Sequence, residues 1–399
     1  MRAAGLAKFG VYAAISGAVA MACASLGACE DEHRRSTPSE GGSGSCQAGA
    51  GVFPAGNCDP SDNKCVQDPA GTCSIDTTKC GDISCLPMAN NTGNVLDFRM
   101  RRLNIISPPS LTYAVNPTLQ TAIIDSAVDL KAKQCGEVGK GTFSWLLRLD
   151  KTAKTLTTGG APPSADPFGA GYCFYNHIVT VGQTPINVKQ VTVPLDPTST
   201  DTTFATQAIP KLYVPIFLDT AGSAVIILPL SNPIIKDLTV SNNGNCIGSL
   251  NPVALAKDCT DVFSDCSKWH TAGSLGGYMT LKEADTVFIK ELNQSLCVVL
   301  TQTAPAIKCA DASGNITQKG DFCSTTNQPG GCADSFWLSA TFAASAIKIN
   351  DGSTTPTCQG GADPDAGPDS GGDTGAPDTG TDTGTDAGTD APEDAPDAG

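Results

Sequence analysis

Hydrophobic and polar side chains alternate with a period of two along several stretches of this chain. In the clearest stretch, Phe143 to Asp150, apolar residues take every second position, which predicts a strand with one buried face. Between Leu96 and Ile105 the apolar positions change parity. A β-bulge near Arg101 and Arg102 would reconcile the two halves of one strand.

Two apolar runs, 212–218 and 224–230, are joined by a short polar segment and predict a hairpin covered on both faces. Pro215 and Pro229 place at least part of that hairpin at a sheet edge, because proline cannot donate to a ladder. Further strands are predicted at 191–195, 238–240 and 336–342. Many short strands between Gly, Pro and Asn turns favour an antiparallel sandwich or barrel.

Two segments have the helical period instead. The first begins at Thr118, and its apolar stripe runs from Leu119 to Leu130. The second begins with the capping-box pair Thr280 and Glu283 and continues to Leu292. The predicted fold is therefore mainly β, an antiparallel sandwich or barrel-like domain with two packed helices.

The N-terminus has the pattern of an export signal. A short basic start precedes the apolar stretch 9–22, which is shorter than the roughly 18 or more residues of a membrane-spanning helix. Residues 26–29, Leu-Gly-Ala-Cys, form a lipobox pattern in which the Cys29 thiol would be lipidated. The alternative is cleavage after Ala24, which would release a soluble protein.

Composition divides the chain into five predicted parts. They are a lipoprotein signal peptide at 1–28, a flexible tether at 29–45, a cysteine-rich disulfide segment at 46–90, the main β-rich domain at 94–350 and an Asp/Gly/Thr/Pro-rich tail at 359–399. The tail offers no large apolar residue for a core, which predicts disorder.

The formal net charge of −15 is concentrated in the tail, where eleven acidic residues and no Lys or Arg follow from Asp363. The rest of the chain is only mildly acidic and shows no basic face, which argues against a nucleic-acid partner. Asp363, Asp365 and Asp369 offer oxygen ligands for weak calcium binding, without the residue order of a true calcium loop.

The chain has 18 cysteines, and setting aside Cys23 in the signal and Cys29 leaves an even number, 16. In an exported protein such cysteines are expected to form disulfides. No C-x-x-C spacing occurs, and there are only three histidines. The sequence therefore predicts neither a zinc site nor a cofactor.

The sequence contains no G-x-S-x-G elbow and no H-E-x-x-H helix. His177 or His270 could orient a Ser or Cys in an unfamiliar hydrolase site, although such histidines are more often structural or exposed. Trp269, His270 and Tyr278 are candidate binding residues, with the two rings stacking on a sugar. The favoured alternative is a disulfide-tied loop in which Trp269 fills the core.

The lipobox, the low-complexity tail and the run from Trp269 to Cys297 together resemble exported bacterial lipoproteins of myxobacterial type. The resemblance implies a lipid anchor, including palmitate, in the cell envelope, with the outer membrane favoured, and it supplies no catalytic residues. The predicted function is a non-catalytic binding or structural role, with an envelope protein or a glycan as partner. The alternative is a secreted hydrolase with an unrecognised active site.

Overall fold

The computed structural model describes residues 46–47, 49–58, 84–116, 119–130, 139–181, 184–222, 225–251 and 268–350. The chain divides into two units, 1–42 and 43–399, and all described residues lie in the second. Cys29, the signal peptide, the tether and the acidic tail lie outside the described residues. Lipidation, tail disorder and the domain boundaries therefore stay predictions.

The structure is built mainly from antiparallel strands. In chain order they are β1 (Val95–Ser107), β2 (Ser144–Asp150), β3 (Thr155–Ala161), β4 (His177–Val181), β5 (Thr184–Val188), β6 (Val191–Pro194), β7 (Thr203–Phe204), β8 (Lys211–Phe217), β9 (Val225–Lys236), β10 (Leu238–Thr239), β11 (Cys246–Ile247), β12 (Ser249–Leu250), β13 (Trp269–His270), β14 (Gly273–Thr280), β15 (Phe288–Ile289), β16 (Gln294–Ser295), β17 (Phe322–Cys323), β18 (Gln328–Pro329) and β19 (Ser335–Ala346). The main sheet has the order β6-β3-β2-β1-β19-β14-β9-β8, and each neighbouring pair is antiparallel. The predicted fold class is confirmed.

The two ends of this sheet approach each other, which makes it a nearly closed barrel. The second strand of the sheet, β3, contacts the last strand, β8. Gly160 of β3 lies so close to Pro215 of β8 that an added Cβ atom would be 2.5 Å from the proline Cδ. The inward side chains of all eight strands on the main path join one buried apolar cluster, as expected when alternating positions face an enclosed core.

Several local predictions are confirmed. The pairing of β1 with β19 shifts between Met100 and Arg102, where the bulge was predicted. The predicted hairpin is β8 and β9, and β8 is the last strand of the sheet. Pro229 lies in the half of β9 that pairs with β8 alone. Both prolines therefore lie where one side of their strand has no ladder partner in the sheet, as expected for proline.

The outward face of the sheet is also covered, which the period-two pattern did not predict. Ser144 and Leu146 of β2 point away from the barrel core and are fully buried. On β19 the cover is formed by residues 49–58 and 84–90, which we call the strap. Its carbonyl groups at Val52 and Cys58 accept from Trp337 Nε1 at 2.9 Å and Thr341 Oγ1 at 2.7 Å.

Disulfides fix the strap and the loops of the domain. They join Cys46 to Cys58, Cys85 to Cys246, Cys297 to Cys309 and Cys323 to Cys332. The Cys85–Cys246 bond spans 161 residues, so it attaches the cysteine-rich segment to the β-rich domain. The prediction that cysteines form disulfides is confirmed at these positions, while Cys65, Cys73 and Cys80 lie outside the described residues.

The first predicted helix is present in a different form. Leu119–Asp125 is a π-helix, followed by the short helix α1 (Ser126–Val128). The side chain of Gln120 donates to the Leu103 carbonyl at 2.8 Å and accepts from the Ile105 amide at 3.4 Å, which holds this turn against β1. The helix ends because the carbonyl groups of its last residues bind the amides of Lys140 and Phe143. Thr118, its predicted cap, lies outside the described residues.

The second predicted helix is wrong beyond its first turn. Its capping box is present, but α2 (Leu281–Ala284) is only four residues long. The Asp285 carboxylate accepts from Ser295 Oγ at 2.6 Å and from the Cys309 amide at 2.7 Å. The chain therefore turns into the loop closed by Cys297 and Cys309. A helix that the pattern did not predict, α3 (Leu296–Thr301), begins in this loop.

Candidate functional site

Ionisable and hydroxyl side chains meet where β8, β9, β14 and the start of α2 come together. The members of this group, which we call the Lys211 cluster, are Lys211, Ser231, Tyr278, Thr280 and Glu283. The side chains of Lys211 and Glu283 are 26% and 32% exposed, whereas Ser231 as a residue is 9% exposed. The cluster therefore has a solvent-facing rim and a nearly buried hydroxyl.

A bulge in β9 shapes the cluster. The pairing of β9 with β14 shifts between Gly276 and Tyr278, so one extra residue follows Ser231. Asn232 has a φ of 47°, a left-handed conformation that is uncommon for a residue with a side chain. A Cβ atom on Gly277 would lie 3.0 Å from the Ser231 carbonyl oxygen. Glycine at 277 thus permits the bulge to lie against β14.

Lys211 joins the hydroxyl to the carboxylate. It pairs directly with Ser231 across the β8–β9 ladder, so both side chains lie on the same face. Its Nζ donates to Ser231 Oγ at 2.8 Å and contacts Oε1 of Glu283 in an ion pair. One ammonium group is therefore in hydrogen-bond contact with a serine and a glutamate.

The capping box holds Glu283 in place. Its Oε2 accepts from Thr280 Oγ1 at 2.9 Å and from the Thr280 amide at 3.3 Å. Since Oε1 contacts Lys211, both carboxylate oxygens have partners. The cap predicted from the sequence therefore also positions the anion of the cluster.

Tyr278 forms the buried side of the cluster. Its hydroxyl donates to the Ser324 carbonyl at 3.3 Å, and its ring lies 5.2 Å from the ring of Phe322. Burial raises the pKa of Tyr278, the charges of Glu283 and Asp334 raise it further, and contact with Ser231 lowers it. Because the net shift is upward, the phenol stays protonated at neutral pH.

The three candidate binding residues do not form a common surface. Trp269 is 1% exposed and packs with the Cys85–Cys246 disulfide. The Cζ atom of the Arg101 guanidinium lies 5.0 Å from the centroid of the Trp269 ring. Tyr278 is 8% exposed and belongs to a different apolar cluster. His270 is exposed on β13. The expectation that Trp269 fills the core is confirmed, and the sugar-stacking interpretation is corrected because neither ring offers an open face.

His177 lies on β4, and its ring is 5.0 Å from the ring of Tyr175. Within the described residues no Ser or Asp side chain is hydrogen-bonded to His177. The His177 side chain therefore makes a ring contact with Tyr175.

A second group of polar side chains has a structural explanation. Burial raises the pKa of Asp125, and the opposing influences of Arg102 and Gln120 do not cancel that effect. The carboxylate accepts from Gln120 Nε2 at 2.8 Å. The Asp125 carboxylate therefore orients the side-chain amide of Gln120, which is hydrogen-bonded to the backbone of β1 at Leu103 and Ile105.

Two groups have the residue types of a metal site, Asp285 with Cys297 and Cys309, and Asp334 with Cys323 and Cys332. In both groups the sulfur atoms are bonded to each other, whereas zinc needs thiolates. The carboxylates are bound to amide and hydroxyl donors of their own loops. Both groups therefore serve as loop anchors in the oxidised protein.

Sequence reasoning explained Glu283 by its cap but missed Lys211 and Ser231. The pairing of Lys211 with Ser231 could have been predicted, because the predicted hairpin pairs residue 212 with 230 and therefore 211 with 231. What the pattern lacked was the arrival of α2 beside that pair, since Glu283 lies 72 residues from Lys211.

No protein-family model, curated protein or solved structure matches this chain. None of the helices in the described ranges is both long and apolar enough to cross a membrane. Function is therefore inferred from the chemistry of the site.

Proposed function

We propose that this chain is a lipoprotein of the cell envelope, exported and anchored through acylated Cys29, whose β-rich domain has a non-catalytic binding or structural role. The observation that carries the proposal is the set of disulfides that closes the strap and the loops. Structural disulfides persist in oxidising compartments outside the cytoplasm. This supports export, as does the signal pattern of residues 1–29.

The Lys211 cluster is the proposed contact site for a partner. Its half-exposed ion pair and its hydroxyl groups offer both donors and acceptors, which suits a polar ligand such as an envelope glycan or a polar protein surface. Tyr278 would support this site from its buried side.

The anchor is tested by replacing the cysteine that would carry lipid. Cys29→Ala should move the protein from the membrane fraction to the soluble fraction, abolish labelling by radioactive palmitate and change the mature mass. Cys23→Ala is the matched control and should change none of these, since Cys23 lies in the removed signal. If Cys29→Ala leaves both fractionation and mass unchanged, cleavage after Ala24 becomes the correct account.

The binding role is tested by co-sedimentation of the purified chain with isolated peptidoglycan and by crosslinking in intact envelopes. Lys211→Ala should weaken retention, while Lys348→Ala should not, because Lys348 is exposed beyond the opposite end of β19 from Ser335, the partner of Thr280. Sustained hydrolysis of an envelope glycan or ester by the wild-type chain would overturn the non-catalytic assignment and favour the secreted hydrolase.

A further inference from the structure

The arrangement of Ser231, Lys211 and Glu283 provides a path for a proton. Nζ of Lys211 lies 2.8 Å from Ser231 Oγ and contacts Glu283 Oε1. An amine in contact with both groups can give a proton to the carboxylate and take one from the hydroxyl. Serine with lysine, or with lysine and glutamate, is a known way to activate a hydroxyl without histidine.

The backbone next to Ser231 has the features of a functional position. The residue after it, Asn232, has a positive φ within the bulge. Bulges redirect side chains and occur often beside active sites, and strained backbone concentrates at such sites. The nearly buried hydroxyl also lies beside the solvent-facing rim formed by Lys211 and Glu283.

We propose that Ser231 is a nucleophile that accepts an acyl group from an activated carbonyl compound, an ester, thioester or lactam, bound at the Lys211 cluster. This deepens the binding role proposed above, and rests on it, by naming a ligand class and a covalent mode of capture. Tyr278 and Thr280 are positioning residues, because Tyr278 closes the buried side of the site and Thr280 holds Glu283.

The step conserves atoms, charge and oxidation state. The Ser231 O–H bond breaks, and a bond forms between Oγ and the acyl carbon. The hydroxyl proton passes to Lys211 while Lys211 passes one proton to Glu283. The bond from the acyl carbon to its leaving oxygen, sulfur or nitrogen then breaks, and that atom takes the proton back along the same path.

The experiment uses the full-length, oxidised chain with 4-nitrophenyl acetate as the probe. We expect release of one nitrophenol per chain, a mass increase of one acetyl group and assignment of that group to Ser231 by peptide mapping. The adduct should be an ester that alkaline hydroxylamine removes. Ser231→Ala should abolish it, and Ser231→Cys should restore labelling as a thioester.

Lys211→Met and Glu283→Gln should slow the labelling roughly a hundredfold, the usual scale of general-base assistance. Ser313→Ala, at an exposed turn, should leave labelling unchanged. Retention of the wild-type unfolding midpoint by Ser231→Cys separates loss of chemistry from loss of folding.

An equal yield of adduct in Ser231→Ala, or a hydroxylamine-stable amide on Lys211, would overturn the proposal. Absence of labelling in the wild-type chain would also overturn the proposal that Ser231 is a nucleophile. It would not affect membrane anchoring or peptidoglycan retention, which test the proposed function. The two proposals can therefore fail separately. Repeated turnover that depends on Ser231 would support the nucleophile and overturn the non-catalytic role.

Discussion

Gly160 of β3 and Pro215 of β8 meet where the barrel closes, and an added Cβ atom on Gly160 would lie 2.5 Å from the proline Cδ. Both partners are backbone or ring atoms with little freedom to move. The absence of a side chain at 160 is therefore a condition for closure.

Gly160→Ala should lower the free energy of unfolding by about 1 to 3 kcal/mol, the usual cost of overpacking. Urea unfolding followed by tryptophan fluorescence measures this. Gly49→Ala is the control, since its added Cβ atom would meet only Val52 Cγ2 at 3.6 Å, and we expect a change within about 0.5 kcal/mol. Equal effects at the two positions would show that β3 and β8 are not tightly packed in solution.

Removing the disulfide between Cys85 and Cys246 should destabilise the domain strongly. The bond closes a segment of 161 residues and attaches the strap, so the double alanine variant should lose about 2 to 5 kcal/mol. The double variant at Cys323 and Cys332, which are nine residues apart with Cys332 exposed, should lose less. Thermal unfolding under oxidising conditions provides the comparison, and the reverse order would contradict a stabilising role for the strap.

Asp285→Ala should unfold the region around α3. The carboxylate accepts from Ser295 Oγ and from the amides of Cys309 and Ala310, at 2.6, 2.7 and 3.1 Å. Leaving several buried donors without a partner costs about 1 to 3 kcal/mol for each group. Hydrogen exchange of the Cys309 amide should accelerate.

Asp311→Ala serves as the control for that experiment, because Asp311 accepts from two amides of an exposed turn. We expect Asp311→Ala to accelerate hydrogen exchange of the amides in its own turn and to leave the Cys309 amide protected. Unchanged protection in Asp285→Ala would contradict the anchoring role of the carboxylate.

Asp334 should contribute stability that acid removes. Burial alone would raise its pKa, but hydrogen bonds from Ser324 and Ser335 outweigh that effect and leave the pKa below its ordinary value. The contribution is therefore present above the ordinary carboxyl pKa and is lost as pH falls through the lowered one. The melting-temperature difference between wild type and Asp334→Asn should be largest near neutral pH and should shrink on acidification.

The stability that Asp321 contributes should depend on pH in the opposite direction. Burial raises its pKa, more than its hydrogen bond from the Trp337 amide lowers it. Its contribution is therefore complete below the ordinary carboxyl pKa and is lost as pH rises through the raised one. Relative to Asp321→Asn, the wild type should gain stability on acidification, and a parallel pH dependence of the two variants would refute both assignments.

Features that depend on near neighbours could be read from the sequence alone. The strand from Ser144 to Asp150, the bulge of β1 and the β8–β9 hairpin follow from side-chain period and turn residues. The capping box of Thr280 and Glu283 is equally local. Such patterns determine structure because their contacts lie within a few residues or across one turn.

Tertiary contacts decided the rest. The apolar stripe after Ala284 is compatible with a helix, yet the amides of Cys309 and Ala310 bind Asp285 and end it. The hairpin register places Lys211 opposite Ser231, but only the packing of α2 brings Glu283 to them. The sequence alone therefore determined some of the strands and turns, whereas β3 and β14 of the main sheet were not predicted. The covered outer face and the Lys211 cluster arise from groups far apart in the chain, whose approach no local pattern encodes.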